Sequence, residues 1–184
     1  MEHYVTKLPI DAVLMAGGKG ERLRPLTEKT PMPLIKVGDK CMSLIIILIV
    51  CFHTGLNHIS VTVNYLGDQI EEHFREERDG VKIVTVREPK YLGTIGSIKF
   101  VGNFYNDTVL VMNSDLFTNI DFEDFFLHFC QHDADMSVAA VPYVSEGAIR
   151  CVQSRRTRNQ GRYRETYHQL LCKRRYIPYQ TQIA

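Results

Sequence analysis

A loop rich in glycine and charge is the part of this chain best suited to binding a phosphorylated ligand. Gly17, Gly18 and Gly20 stand close together, and glycines let the backbone approach a ligand and adopt positive φ. Successive backbone N–H groups of such a loop can donate hydrogen bonds to phosphate oxygens. Arg22 adds a planar, permanently charged donor for the same oxygens. Residues 17–27 are therefore a candidate phosphate-binding loop.

The spacing of this loop excludes two common phosphate-binding motifs. The GxxxxGK[ST] pattern of a Walker A loop is absent from it. Leu23 stands where the dinucleotide-binding fingerprint has its third glycine. The loop is therefore either a nucleotide or phosphate site of another class or a tight turn with solvated charges.

The elements around the loop predict an α/β fold. Residues 10–16 are mostly apolar and lead directly into the loop, which predicts a buried strand. Helices alternate with further strands, and Asp68 and Asp121 are expected to N-cap two of these helices. The further strands are expected at residues 58–64, 81–86, 108–112 and 136–141. Their continuous apolar runs predict a doubly wound, mostly parallel sheet covered on both faces.

The predicted sheet also indicates where a ligand would bind. In doubly wound sheets, ligands lie beyond the C-terminal ends of the strands. The loops after Ala16, Val86 and Met112 are therefore the expected positions of site residues.

Charge divides the chain into two unlike parts. The 184 residues carry a formal net charge of +1, which gives no case for a nucleic-acid-binding protein. Residues 1–146 contain 13 Lys and Arg against 20 Asp and Glu, whereas residues 147–184 contain 9 against 1. We therefore predict a core domain of residues 1–146 and a basic, irregular tail of residues 147–184.

Cysteine use and the N-terminus favour a cytoplasmic protein. The five cysteines form no CxxC pair and are odd in number, as expected of thiols in a reducing compartment. The first residues lack the pattern of a signal peptide. The charge-free stretch of residues 42–52 is shorter than the roughly 20 residues of a membrane span.

Three motifs together resemble the sugar-phosphate nucleotidyltransferase family. Its signature is similar to residues 17–34, which include Gly18-x-Gly20-x-Arg22-Leu23-x-Pro25-Leu26-Thr27 and Thr30-Pro31-x-Pro33-Leu34. Residues 92–97 resemble the family's second glycine motif, and residues 109–115 resemble its metal-aspartate strand. The resemblance covers roughly residues 8–146. It implies a Rossmann-like core whose C-terminal part is incomplete here.

This resemblance implies an activity and a set of site residues. Members join a nucleoside triphosphate to a sugar 1-phosphate and release pyrophosphate, assisted by Mg²⁺. The likeness implies that Arg22 and Asp115 are catalytic residues, with Asp115 as the metal ligand. It also implies a set of nucleotide-binding residues, namely Leu14, Ala16, Gly17, Gly18, Gly20, Arg22, Glu88 and Gly93.

Glu88 falls at a position of the family pattern that faces the base. A carboxylate only accepts hydrogen bonds, so it suits the ring N–H and amino group of guanine, a pair that uracil and thymine lack. We therefore expect GTP as the nucleotide. The resemblance to the family implies a mannose- or heptose-type sugar 1-phosphate.

The chain departs from the family pattern at three places. Met32 stands where the family usually carries a phosphate-binding lysine, and Lys36 does not fill that position. Residues 42–52 are apolar where an amphipathic helix is expected. After about Tyr143 the resemblance ends, without the sugar-phosphate motif or the second metal aspartate. Our hypothesis is that residues 41–54 and 147–184 are read out of frame.

Three functions therefore stay open. The first is a nucleotidyltransferase impaired by Met32 and by the missing C-terminal half. The second is an inactive remnant that still binds a nucleoside triphosphate. The third is an interaction module that uses the basic tail, in which tyrosines alternate with arginines. The sequence predicts no membrane partner, makes nucleic acid an unfavoured partner and leaves an oligomer open.

Overall fold

The computed structural model describes residues 7–76, 79–90, 95–144 and 163–174. The strands are β1 (Asp11–Met15), β2 (Lys36–Val37), β3 (Lys40–Cys41), β4 (His58–Val63), β5 (Lys82–Arg87), β6 (Thr108–Asn113), β7 (Met136–Val144) and β8 (Tyr163–Lys173). The α-helices are α1 (Met42–Thr54), α2 (Gly67–His73) and α3 (Phe122–Gln131).

Six of these strands form one sheet in the order β5-β4-β1-β6-β8-β7. The four strands β5, β4, β1 and β6 run parallel to one another, and β8 lies antiparallel between β6 and β7. The strands β2 and β3 form a separate two-stranded hairpin. This mixed, mostly parallel sheet with helices between its strands confirms the predicted fold class.

The central strand β1 is buried on both faces because structure covers both sides of the sheet. Leu14 packs on one face with residues of α1 and α3, such as Ile47 and Phe129. Val13 packs on the other face with Ile98 of a 3₁₀ turn at Gly96–Phe100. The two cores explain why the strands show continuous apolar runs.

The apolar segment after β3 forms the helix α1. Gly55 ends the helix at φ 69°, in the left-handed region that favours glycine, and its N–H bonds to the Cys51 carbonyl at 2.9 Å. Ile46, Ile47 and Val50 face the core, while Phe52 on the outer side is 62% exposed. The expected connection between β1 and β4 is therefore helical, but it lacks a polar outer face.

The structure confirms one predicted helix cap and shows that the other is wrong. The Asp121 carboxylate accepts hydrogen bonds from the N–H groups of Glu123 and Asp124 at 2.9 and 3.0 Å. The helix α2 instead begins after Leu66, without a side-chain cap. Asp68 accepts from the Arg87 guanidinium at 2.5 Å, so an ion pair with the end of β5 takes the place of the cap.

The irregular conformation expected for residues 147–184 is wrong for residues 163–173, which form β8. Cys172 pairs with Val109 and Leu171 with Leu110, and both β8 side chains are buried at 4% and 1% exposure. A strand covered on both faces needs consecutive apolar residues and not alternation. The short Leu171-Cys172 run therefore shows neither the helical nor the alternating period by which strands and helices are predicted. The out-of-frame origin of this segment stays a prediction.

Four cysteines in the described part of the chain are free thiols, namely Cys41, Cys51, Cys130 and Cys172. Burial raises the pKa of the Cys172 thiol to about 11, so this thiol is protonated at neutral pH and acts as a small core residue. Among the described residues, no helix is long and apolar enough to cross a membrane.

Replacing Leu171 by Ala tests whether β8 belongs to the core. We expect Leu171→Ala to lower the free energy of unfolding by about 2–5 kcal/mol, because it leaves a cavity beside a buried sheet. The matched control is Leu127→Ala, at a position 47% exposed on α3, which should change it by less than about 0.5 kcal/mol. Denaturant unfolding measures both, and equal effects would contradict the placement of β8.

Candidate functional site

The site lies at the topological switch point of the sheet, where successive connections leave β1 in opposite directions. The chain passes from β1 to β4 on one side and later to β6 on the other. Ala16 N–H donates to the Thr62 carbonyl at 2.8 Å, and Ser114 N–H donates to the Met15 carbonyl at 3.1 Å. The loops after these three strands therefore leave the sheet side by side, at the edge where ligands bind in such folds.

The glycine-rich loop follows β1 and turns sharply at Gly20. Gly20 has a φ of 60°, a left-handed conformation that side chains disfavour. The Thr27 hydroxyl, itself buried, donates to the Gly20 carbonyl at 2.9 Å. A Cβ at Gly20 would lie 2.9 Å from the Thr27 Cγ2. Glycine at this position is therefore required by both the backbone angle and the space.

Glu88 lies against the first residue of the loop. Its backbone N–H donates to the Val63 carbonyl at 2.9 Å, which extends β5 by one residue. The side chain is 5% exposed, and a Cβ at Gly17 would lie 2.8 Å from its Oε1 atom. Gly17 thus permits the close approach of a buried carboxylate, whereas a Cβ at Gly18 would meet only open space. The structure brings Glu88 and the loop together.

Arg22 and Asp115 are both exposed at this edge. Arg22 lies in a 3₁₀ turn at Glu21–Leu23, inside the glycine-rich loop. Asp115 follows the end of β6 by two residues, and the last pair of the β1–β6 register joins Met15 to Asn113. Asp115 and the start of the loop therefore leave neighbouring strands at the same level of the sheet.

The remaining predicted residues divide into core positions and one undescribed position. Leu14 and Ala16 are 0% and 2% exposed and belong to the core beneath α1. Their side chains pack in the core, and they fix the position of the strand end from which the loop begins. Gly93 lies outside the described residues.

Met32 packs beside the turn of the glycine-rich loop. A Cβ at Gly20 would lie 3.1 Å from the Met32 Cβ and 3.5 Å from its sulfur. The side chain of residue 32 thus lies next to the candidate phosphate site and brings no charge to it. Lys36 is exposed on the hairpin strand β2.

Sequence reasoning assigned no role to three residues that shape this site. Thr27 enters the sequence analysis only as part of the family motif, and its hydroxyl bonds to the Gly20 carbonyl. Asn64 donates from Nδ2 to the Glu88 carbonyl at 3.3 Å, and Tyr65 donates from its hydroxyl to the Thr27 carbonyl at 3.1 Å. For Tyr65 the available signal was its position directly after a predicted strand, at the same edge of the sheet as the other loops.

The oxygen groups beyond β6 fit a hard divalent cation. Ser114 is 1% exposed, and its hydroxyl has no hydrogen-bond partner among the described residues. The Asp115 carboxylate stands next to it in the chain. Mg²⁺ in proteins is commonly held by one or two carboxylates together with substrate phosphates. Within the described ranges, no three His, Cys, Asp or Glu side chains form a complete metal site.

A glycine-rich loop after the central strand, with a carboxylate beyond its parallel neighbour, lies where open α/β sheets bind their ligands. The profile of the family described as "Nucleotidyl transferase" matches residues 11–150. The chain therefore belongs to the nucleotidyl transferase family.

Its relatives include sugar-phosphate enzymes. A mannose-1-phosphate guanylyltransferase catalytic subunit beta of Xenopus tropicalis is 32% identical over 142 residues, which are 73% of this chain and 38% of that protein. A D-glycero-alpha-D-manno-heptose 1-phosphate guanylyltransferase of Campylobacter jejuni is 32% identical over 112 residues, which are 61% and 50% of the two chains. This chain thus spans half or less of the length of either relative.

Solved structures show the same fold. The crystal structure of HddC from Yersinia pseudotuberculosis matches with a TM-score of 0.68 and 20% identity, over 91% of this chain and 78% of that one.

Gly20→Ala and Gly18→Ala form a matched pair that tests the shape of the loop. We expect Gly20→Ala to lower the free energy of unfolding by about 1–2 kcal/mol, because alanine is strained at positive φ. Gly18→Ala should change it by less than about 0.5 kcal/mol, since its Cβ meets nothing within 4 Å. Thermal unfolding measures both variants, and equal stability would contradict the described turn.

Proposed function

We propose that the site transfers a nucleoside monophosphate, with GMP favoured, from a nucleoside triphosphate to a sugar 1-phosphate. The observation that carries this proposal is the meeting of three features at one edge of the sheet. The glycine-rich loop, the buried Glu88 carboxylate and the exposed Asp115 carboxylate lie beyond β1, β5 and β6. Membership in the nucleotidyl transferase family supports it.

The reaction requires positioning and neutralisation of charge. An oxygen of the sugar phosphate attacks the α-phosphorus in line, and the bond from that phosphorus to the bridging oxygen of the β-phosphate breaks. Pyrophosphate then leaves with the electron pair. The loop amides from Gly17 to Gly20 bind the phosphate oxygens, and Arg22 neutralises the leaving phosphates.

Asp115 would hold Mg²⁺, with Ser114 as the neighbouring oxygen donor. The bound ion would reduce the repulsion between the phosphates and the attacking oxygen. Asp115 is exposed at the end of β6, so it can reach a ligand without leaving the sheet edge.

Glu88 supports guanine as the base. Its carboxylate accepts two hydrogen bonds, which matches the ring N–H and amino group on one edge of guanine. A hydrogen bond inside a buried site discriminates strongly against a base that lacks the donor. The guanylyltransferase names of the two relatives are consistent with this choice.

The proposed function predicts turnover and a base preference in one assay. The chain with Mg²⁺, mannose 1-phosphate and either GTP or UTP should release pyrophosphate faster with GTP. Nucleotide binding is measured alongside by calorimetry. GTP binding without turnover would identify an inactive nucleotide-binding remnant. If the chain neither binds GTP nor releases pyrophosphate, the proposal is contradicted. Equal rates of pyrophosphate release with GTP and UTP would contradict the proposal that Glu88 selects guanine.

Met32→Lys should raise the rate of pyrophosphate release by about 10²-fold. The substitution places a positive charge beside Gly20, where the triphosphate is proposed to lie, and one preorganised charge contact contributes on the order of 10² in rate. Met32→Leu is the matched control, because it keeps an apolar side chain of similar size. If Met32→Lys and Met32→Leu release pyrophosphate equally fast, residue 32 does not contact the phosphates.

A further inference from the structure

The glycine-rich loop has almost no apolar packing to fix its shape. Residues Glu21 to Leu26 are all exposed, and within the loop only its first and last residues, Gly17 and Thr27, are buried. A loop that lacks apolar packing can be ordered by its own hydrogen bonds. Otherwise it becomes ordered only when a ligand binds, and the lost conformational entropy then weakens binding. The residues that bond to this loop from outside therefore determine how far it is prepared for a ligand.

Tyr65 reaches both ends of the loop. Its backbone N–H donates to the Gly17 carbonyl at 3.4 Å. Its phenol hydroxyl donates to the Thr27 carbonyl at 3.1 Å, with the Glu28 carbonyl at 3.4 Å as a second acceptor. One residue at the corner between β4 and α2 thus spans the loop from its first residue to its last.

Two further hydrogen bonds extend this connection. Gln69 Nε2 donates to the Lys29 carbonyl at 3.1 Å, just beyond the loop. Inside the loop, the Thr27 hydroxyl donates to the Gly20 carbonyl at 2.9 Å. The Tyr65 hydroxyl therefore fixes Thr27, and Thr27 fixes the turn at Gly20 on which the proposed phosphate contacts depend.

The corner that carries Tyr65 is itself held in an unfavourable conformation. Leu66 has a φ of 49°, in the left-handed region that a leucine rarely adopts. The Arg87 guanidinium bonds to both Asp68 and Glu71 at the start of α2, which anchors the corner to β5. Backbone strain of this kind persists where the surrounding contacts require it.

From this geometry we propose that Tyr65 is a positioning residue that shapes the glycine-rich loop before the nucleotide binds. The inference rests on the proposed function, since it assigns nucleotide binding to that loop. Without the Tyr65 hydroxyl, the loop opens more often, and nucleotide binding must order it. We expect loss of the hydroxyl to lower the affinity for the nucleotide and to leave the packing of the hydrophobic core unchanged.

The test compares Tyr65→Phe with Tyr105→Phe. Each variant removes one phenol hydroxyl, and Tyr105 is 75% exposed on a turn before β6. Amide hydrogen exchange, followed by mass spectrometry without ligand, should become faster in residues 17–28 of Tyr65→Phe alone. The dissociation constant for Mg²⁺-GTP should rise about fivefold, the factor that one net hydrogen bond supplies. The thermal midpoints of both variants should agree.

Each result of these measurements either supports or overturns the positioning role of Tyr65. Unchanged exchange in residues 17–28 would overturn it, and so would faster exchange spread over the whole sheet, which would mean a merely structural role. If the unsubstituted chain binds Mg²⁺-GTP and Tyr65→Phe binds it equally well, the positioning role is also overturned. If the unsubstituted chain does not bind Mg²⁺-GTP, the proposed function fails, and the exchange measurement alone decides whether Tyr65 orders the loop.

Discussion

The pairing of β1 between β4 and β6 is the constraint on which the rest of the structure depends. Because β1 is parallel to both neighbours, the loops that follow the three strands emerge at one edge. Val13 and Leu14 pack into the two apolar cores on opposite faces of the sheet, and a slip by one residue would exchange the side chains that fill these cores. The glycine-rich loop is placed by that burial, and its conformation then depends on polar contacts.

Those polar contacts link the loop to elements that are distant in sequence. Thr27 and Gly20 close the turn from within, while Tyr65 reaches it from the corner before α2. Glu88 approaches from β5, which is two strands away from β1. A site of this kind is assembled by the sheet, so that a change in one strand alters the environment of residues in the others.

The sequence allowed prediction of the fold class and of the parallel strands because their apolar runs are continuous. It also indicated a cluster of glycines able to adopt positive φ, and the structure assigns that conformation to Gly20. It did not predict β8, in which the buried Leu171 and Cys172 are followed directly by Lys173 and Arg174. It misassigned Asp68, because a cap and an ion pair with Arg87 use the same carboxylate and only the tertiary structure decides between them. The contacts of Tyr65 were also beyond prediction, since they depend on which carbonyls the folded loop presents.

The central claim is that a nucleoside triphosphate binds at the edge formed by the loops after β1, β5 and β6. A crystal structure of the chain with Mg²⁺ and a non-hydrolysable GTP analogue tests it most directly. We predict phosphate oxygens within hydrogen-bond distance of the amides of Gly17–Gly20, the guanine edge at Glu88 and the ion at Asp115. A nucleotide bound elsewhere, such as in the cleft lined by Lys36, Cys41 and His73, would contradict the account.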